Sequence, residues 1–297
     1  MAFATDTFIE ADLAVMIPEI WGDRINDFFK CKLIITDFFT DRSGELAAGG
    51  DTLHTPNLTQ MSANTKTNAV AVTLNSPTET SIDLVVNTWK EVSFAIEDRE
   101  AAFVKQSYAI QERYAKNAGY TIAAVLETAV ATLFSGFSQS VGSSSTAIAD
   151  SDIRAAIATL EGNCVDMDEV AFFMHPNTFW KQVQNLDKFS LAINSPVNDP
   201  TAKTPAAFLY GIPVYSSTYV PVVLGGRVNV LAHKDAIHYA TSSLPVMTYG
   251  KGMVGKHNVR VQSSYIPDYL STLTTADILF GVIENRDNAA VKIITTS

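Results

Sequence analysis

From Glu97 to Phe134 this chain runs without a proline and with a single glycine, Gly119. Inside that stretch Val104, Tyr108, Gln111, Ala115, Ala118, Ile122, Val125, Ala129 and Leu133 recur at spacings of three and four. Such spacing lays them along one face of an amphipathic helix. Glu97, Asp98 and Glu100 fall in its first turn, where the helix dipole favours acidic groups. At 1.5 Å per residue a helix over 96–135 is on the order of 55 Å long, well beyond the usual globular helix. It reads as a spine.

The sequence on either side is of a different kind. Residues 1–32 mix apolar side chains with Pro18 and Gly22 and show no strong period, which suits an arm that buries Ile17, Ile20, Trp21 and Phe28 on other surfaces. Strand signals follow from Leu33 to Phe94, broken by turns at Asp41–Gly44 and Gly49–Asp51. Between the second turn and Trp89 lies a stretch rich in Thr, Asn and Ser but poor in large apolar residues. It cannot make much core, so a long two-stranded loop reaching away from the body, over about residues 49–92, is expected. Ile82, Leu84 and Val86, then Val92, Phe94 and Ile96, alternate at period two like half-buried strands.

Beyond the spine, the Ser/Gly-rich residues 135–145 read as a flexible connection. Helix and strand then alternate. Asp150 or Ser151 can cap a helix over Ile153–Leu160, Val170–Met174 is an apolar strand, and Pro176 stands at the start of a helix over Asn177–Val183. Further strands are expected at Gly211–Tyr215, Val228–Leu231, Asn258–Tyr265 and Ala276–Ile294.

Candidate chemistry is sparse. Gly250–Gly255 satisfies GxGxxG, but His257 stands where a phosphate loop needs Ser or Thr, and the residues after it alternate like a strand. A phosphate cradle needs a helix there, so a glycine-rich hairpin or connecting loop is the better reading. The five histidines are scattered, with no HExxH and no Cys/His cluster, so no metal site is expected. Asp166, Asp168 and Glu169 lack the glycine and further oxygens of a calcium loop. There is no GxSxG elbow, and no cofactor or catalytic constellation is expected. Cys31 and Cys164 form no CxxC, which suits a reducing compartment. No stretch approaches the roughly 18 uninterrupted apolar residues of a membrane span. The formal charge of -10 argues against gripping nucleic acid through phosphate contacts.

The order of these features resembles the Hong Kong 97 fold of tailed-phage major capsid proteins, an α+β architecture. Gly50-Asp51-Thr52 through Pro56 is similar to the family's lead-in to its extended loop, and Ile82-Asp83 through Glu97-Asp98-Arg99-Glu100 to the exit into the spine helix. His175-Pro176-Asn177-Thr178-Phe179-Trp180, Gly211-Ile212-Pro213-Val214-Tyr215 and Leu231-Ala232-His233-Lys234-Asp235 resemble steps of its axial domain, and Leu279 to Ile293 its closing strands.

The resemblance implies an N-terminal arm (1–32), peripheral strands with the extended loop (33–95), a spine helix (96–135), an axial α/β domain (150–245) and returning peripheral strands (246–297). It implies a non-enzymatic shell subunit that self-assembles as pentamers and hexamers around double-stranded DNA, in a virion built in the host cytoplasm. Because the arm begins almost at Met1, a separate scaffolding protein or none is expected, together with a portal and no membrane partner. Candidate inter-subunit contacts are Trp21, Phe28, Phe29 and Lys66, although the three aromatics could equally pack within their own chain. Gly49, Gly50, Gly136 and Gly142 are candidate hinges. Two alternatives are an encapsulin-like compartment shell, which shares the fold, and a small α/β enzyme built on residues 150–245.

Overall fold

A computed structural model describes residues 30–46, 49–58, 60–103, 110–186, 207–223, 225–246, 251–254 and 256–297. Within residues 96–135 two helices are described, α2 (Asp98–Phe103) and α3 (Ile110–Thr132). The buried positions of α3 are Ala118, Ile122, Leu126, Glu127, Val130 and Ala131, with Phe134 following. Val125, Ala129 and Leu133, expected at the centre of the stripe, flank it half-buried. The offset is one residue: the apolar face is wide, and the larger side chains define its centre. Residues Gln111–Ser135 are long and apolar enough, at mean hydropathy 1.3, to cross a membrane. Here that apolarity is the stripe packed on the body.

The first sheet is built around one long strand, β14 (Ser271–Glu284). Along one edge runs β4 (Thr88–Glu97), antiparallel. Along the other, β13 (Arg260–Ile266) pairs with its first half and β11 (Ile237–Ser242) with its second. β12 (Lys251–Val254) extends the sheet beyond β13, and β1 (Thr40–Asp41) extends it beyond β11. The glycine-rich run is therefore a strand pair, β12 to β13, as its alternation indicated. The turn holds His257 and Asn258 with positive φ.

The second sheet runs β5 (Ser140–Gly142), β15 (Ala290–Thr296), β10 (Gly226–His233), β6 (Val170–Met174), β8 (Ile212–Ser216) and β7 (Ala207–Leu209). A short β9 (Val222–Val223) pairs with the start of β10. Its faces are both covered, and β6 is buried at all five positions. On one face, helices α4 (Asp150–Gly162) and α5 (Pro176–Lys181) close a core of Ile153, Leu160, Phe172, Phe179, Leu231 and Ile293. On the other, Ala171, Phe173, Val228 and Val230 join the end of α3 and the inner face of the first sheet in one cluster. At its centre Phe173 packs against Phe38, Phe39, Phe134 and Tyr215, ring centroids 5.1–5.8 Å away.

Three expectations are corrected here. First, the sheets do not divide in chain order: β11 lies in the first sheet although it precedes residue 246, and β15 lies in the second although it follows. Strand pairing is decided by partners far away in sequence, and local pattern does not reveal it. Second, residues 135–145 are not a free linker. Phe137 is fully buried, Ser138 donates its backbone N–H to Asp287 Oδ1 at 2.7 Å, and β5 pairs in parallel with β15. Third, α4 begins after Ala149, and Asp152 supplies the cap by accepting the Ala149 N–H at 3.0 Å.

Candidate assembly surfaces

Strands β2 (Thr52–Asn57) and β3 (Thr80–Val85) form a two-stranded sheet of their own, the hairpin that the polar composition suggested. It is shorter than residues 49–92, because β4 from Thr88 onward already belongs to the first sheet. Its root is packed: Leu84 and Val86 are buried with Leu46 and Ala240. The chain there crosses β14 so closely that a Cβ on Gly281 would lie 2.1 Å from the Val85 carbonyl oxygen. Only glycine fits that crossing.

Beyond the root the hairpin has no core. Leu58, Met61, Val70, Val72 and Leu74 are each more than half exposed. Side chains hold the tip where no backbone ladder does. Asn64 Nδ2 donates to Asn75 Oδ1 at 2.9 Å, and Asn75 Nδ2 to the Ser62 carbonyl at 2.6 Å. Lys66 donates to the carbonyls of Thr67, at 2.6 Å, and Val70. The ammonium at position 66 thus closes its own turn. Lower on the hairpin, His54 and Asp83 face each other across the strands at 2.7 Å, and this hydrogen bond holds the Asp83 carboxyl below its usual range.

Near residues 34–36 lies an anchor that sequence reading missed. Glu127 on α3 is fully buried. Its Oε1 accepts the backbone N–H groups of Ile34 and Ile35, both at 2.7 Å, and its Oε2 accepts Thr36 N at 2.9 Å and Thr36 Oγ1 at 2.8 Å. The carboxylate satisfies the orphan donors at the start of α1 (Ile35–Phe38) and so fixes that turn to the spine. A glutamate between Leu126 and Val130, on the apolar side of the helix, was the available signal. Trp21, Phe28 and Phe29 lie outside the described residues.

The candidate hinges separate into two kinds. Gly49 and Gly50 have φ of +100° and +121°, and a Cβ on Gly49 would meet nothing within 4 Å. Gly136 and Gly142 are crowded instead: a Cβ would lie 2.9 Å from Glu284 Oε2 at the first and 2.4 Å from the Ile294 carbonyl oxygen at the second.

No convergence of catalytic groups appears among the described residues, and no group of three or more His, Cys, Asp or Glu could hold a metal ion there. The remaining histidines do local work. His233 Nδ1 accepts the Asp235 N–H at 3.1 Å, His257 pairs with Asp37 at 3.2 Å, and His238 is buried beside Arg42. Asp166 accepts the Asp168 N–H at 3.0 Å in a turn of its own.

His175 caps α5: its Nδ1 accepts the Asn177 N–H at 3.0 Å, which requires that nitrogen to be unprotonated. Burial, and then the charge of Arg227, push its pKa from 6.5 down to about 4. Between those values the unfolded chain holds more protons than the folded one, so this contribution to stability is complete above pH 6.5 and is lost as pH falls toward 4. Urea midpoints measured at pH 7 and pH 5 should show a loss that shrinks in His175→Asn, which caps without titrating. Equal losses in the two proteins would refute the role.

No protein-family model matches the sequence, and no curated protein matches it. Solved structures do. A chain from Mycobacterium phage Che8 superposes with a TM-score of 0.72 at 17% identity, covering 93% of this chain and 96% of that one. The capsid of cyanophage P-SCSP1u gives 0.72 at 14% identity over 100% and 97% of the two chains. The mature capsid of bacteriophage PhiM1 gives 0.70 at 10% over 95% and 92%. This chain has the Hong Kong 97-type capsid fold. The Hong Kong 97-type neighbours span almost the same length as this chain, so the likeness covers both sheets as well as the spine.

Proposed function

We propose that this chain is a major capsid protein, copies of which gather as pentamers and hexamers into the icosahedral shell of a tailed bacteriophage around double-stranded DNA. The observation that carries the proposal is the coreless hairpin tip. Five apolar side chains stand in solvent on a segment that none of the described residues buries. Covering such surface is worth about 25 cal/mol per Å², and a neighbouring copy supplies the cover in a closed, repeating contact. A separate scaffolding protein and a portal are the further partners of this reading, with the virion, built in the host cytoplasm, as its place. The charge of -10 supports a container wall that does not bind its packaged duplex tightly. Gly49 and Gly50, unhindered at the foot of the hairpin, are the proposed hinges between pentamer and hexamer geometry. Hydrogen exchange there should differ between immature and expanded shells, and equal protection in both would remove the hinges.

The deciding experiment is electron microscopy with light scattering on the recombinant protein, with and without scaffold. Shells tens of nanometres wide, or capsomers that close when scaffold is added, are expected. A compact monomer or dimer that persists at high concentration with scaffold would overturn the proposal. Replacing residues 58–79 by an Asn-Gly turn should leave the melting temperature of the subunit within a few degrees while shells no longer close. Wild-type shells from that variant would show that the hairpin tip is not an assembly surface.

A further inference from the structure

Arg227 stands apart from the other arginines whose partners are known. Arg42, Arg154 and Arg260 are paired with Glu45, Asp150 and Asp277. Arg227 is half-buried, its Nε is buried and donates to nothing, and its guanidinium has no ion pair among the described residues. It lies on β10 between Thr295 of β15 and Val222 of β9. Two residues along the same strand, and therefore on the same face, Asn229 is fully used. Its Oδ1 accepts the His175 N–H at 3.0 Å, and its Nδ2 donates to Thr295 Oγ1 at 3.1 Å and to the Ile293 carbonyl at 3.3 Å. The polar network at this end of the sheet closes on itself and leaves the arginine out.

His175 adds a second donor. With Nδ1 accepting from Asn177, the neutral ring carries its proton on Nε2, and that N–H has no acceptor among the described residues. The Arg227 charge is near enough to disfavour protonation of the ring. A guanidinium and an imidazole N–H, close together and both lacking acceptors, present donors without an acceptor. A half-buried arginine left so is costly in an isolated subunit.

We propose that Arg227 and His175 form a carboxylate-binding pocket completed by an acidic side chain from a second copy of this chain. The guanidinium fork matches a carboxylate in two parallel hydrogen bonds. With 31 acidic residues against 21 basic ones, a neighbouring copy offers carboxylates readily, while the same balance disfavours a nucleic-acid phosphate as occupant. Beside the pocket, Val222 and Val223 lie exposed on β9, giving an apolar rim next to the charge. The inference rests on the shell reading, because that reading supplies the second copy.

The test compares wild type, Arg227→Gln and Arg227→Lys. It measures the critical concentration for shell formation by light scattering, the melting temperature of dissociated subunits, and retention of a short DNA duplex. Arg227→Gln should raise the critical concentration at least tenfold and leave the subunit's melting temperature unchanged or higher, because there the arginine has no ion pair among the described residues and its buried Nε donates to none of them. Arg227→Lys, which keeps the charge but not the fork, should fall between and serves if the glutamine variant does not fold. Wild-type shells with unchanged assembly of both variants would overturn the pocket and leave the shell reading intact. Variant shells that form normally but lose the duplex would overturn it in favour of phosphate. A lowered subunit melting temperature without an assembly defect would make the arginine an internal support. No wild-type shells under any condition would remove both readings.

Discussion

Glu127→Ala should cost this protein about 3–6 kcal/mol of unfolding free energy. The substitution removes one acceptor group but orphans four donors, the N–H groups of Ile34, Ile35 and Thr36 and the Thr36 hydroxyl. A buried donor left unsatisfied costs about 1–3 kcal/mol, and water reaching the outermost brings the total toward the lower end of the sum. Against a typical total of about 5–15 kcal/mol, that is enough to unfold much of the population. Glu127→Gln separates the terms: one carbonyl oxygen remains, so about half of the loss should return. Urea unfolding with matched slopes measures both. A loss below about 1 kcal/mol for Glu127→Ala would show that the turn at residues 34–36 does not depend on the carboxylate.

Asp277→Ala is expected to be of similar size for a different reason. Asp277 is 1% exposed on β14, where Arg260 Nε donates to its Oδ1 at 2.8 Å, Arg260 Nη2 donates to its Oδ2, and Trp89 Nε1 donates to Oδ2 at 3.1 Å. The pair holds the Arg260 guanidinium above its usual pKa, chiefly through the hydrogen bond to Asp277. Removing the carboxylate leaves a largely buried cation, a change that costs about 3–5 kcal/mol. Removing the cation as well should recover most of it, so Asp277→Ala with Arg260→Met should be far more stable than Asp277→Ala alone. A double mutant that loses the sum of the two single losses would mean the residues are not coupled.

The same two sites show where sequence reading reaches and where it stops. The spine helix was legible because it lacks proline and repeats its apolar residues at helical spacing, a local property. The hairpin was legible from its polar composition, and the β12–β13 turn from alternation after the glycines. Glu127 was not, because its partners lie some ninety residues earlier, at 34–36. Asp277 was not, because β4 and β13 come to flank β14 only in the folded sheet. The Ser/Gly run at 135–145 misled because small residues serve two ends: they loosen a linker, and they also admit close approach, as Gly142 admits the Ile294 carbonyl. Composition is the same in both cases, and only the neighbour distinguishes them. That Arg227 has no ion pair among the described residues was invisible for a related reason, since lacking a partner is a property of the folded surroundings.

The placement of β15 between β5 and β10 bears on how quickly a folded chain becomes available. Ser140 waits for Lys292, and Thr40 for His238, before either sheet gains its edge. Loops of that length must be closed before pairing rewards them, and chains dominated by such contacts fold slowly. In the interval, the unfilled gap between β5 and β10 offers bare backbone to any other nascent chain. The yield of folded chains in a crowded cell is therefore set by a race between intramolecular closure and aggregation. Dilution or a holding chaperone should favour the first.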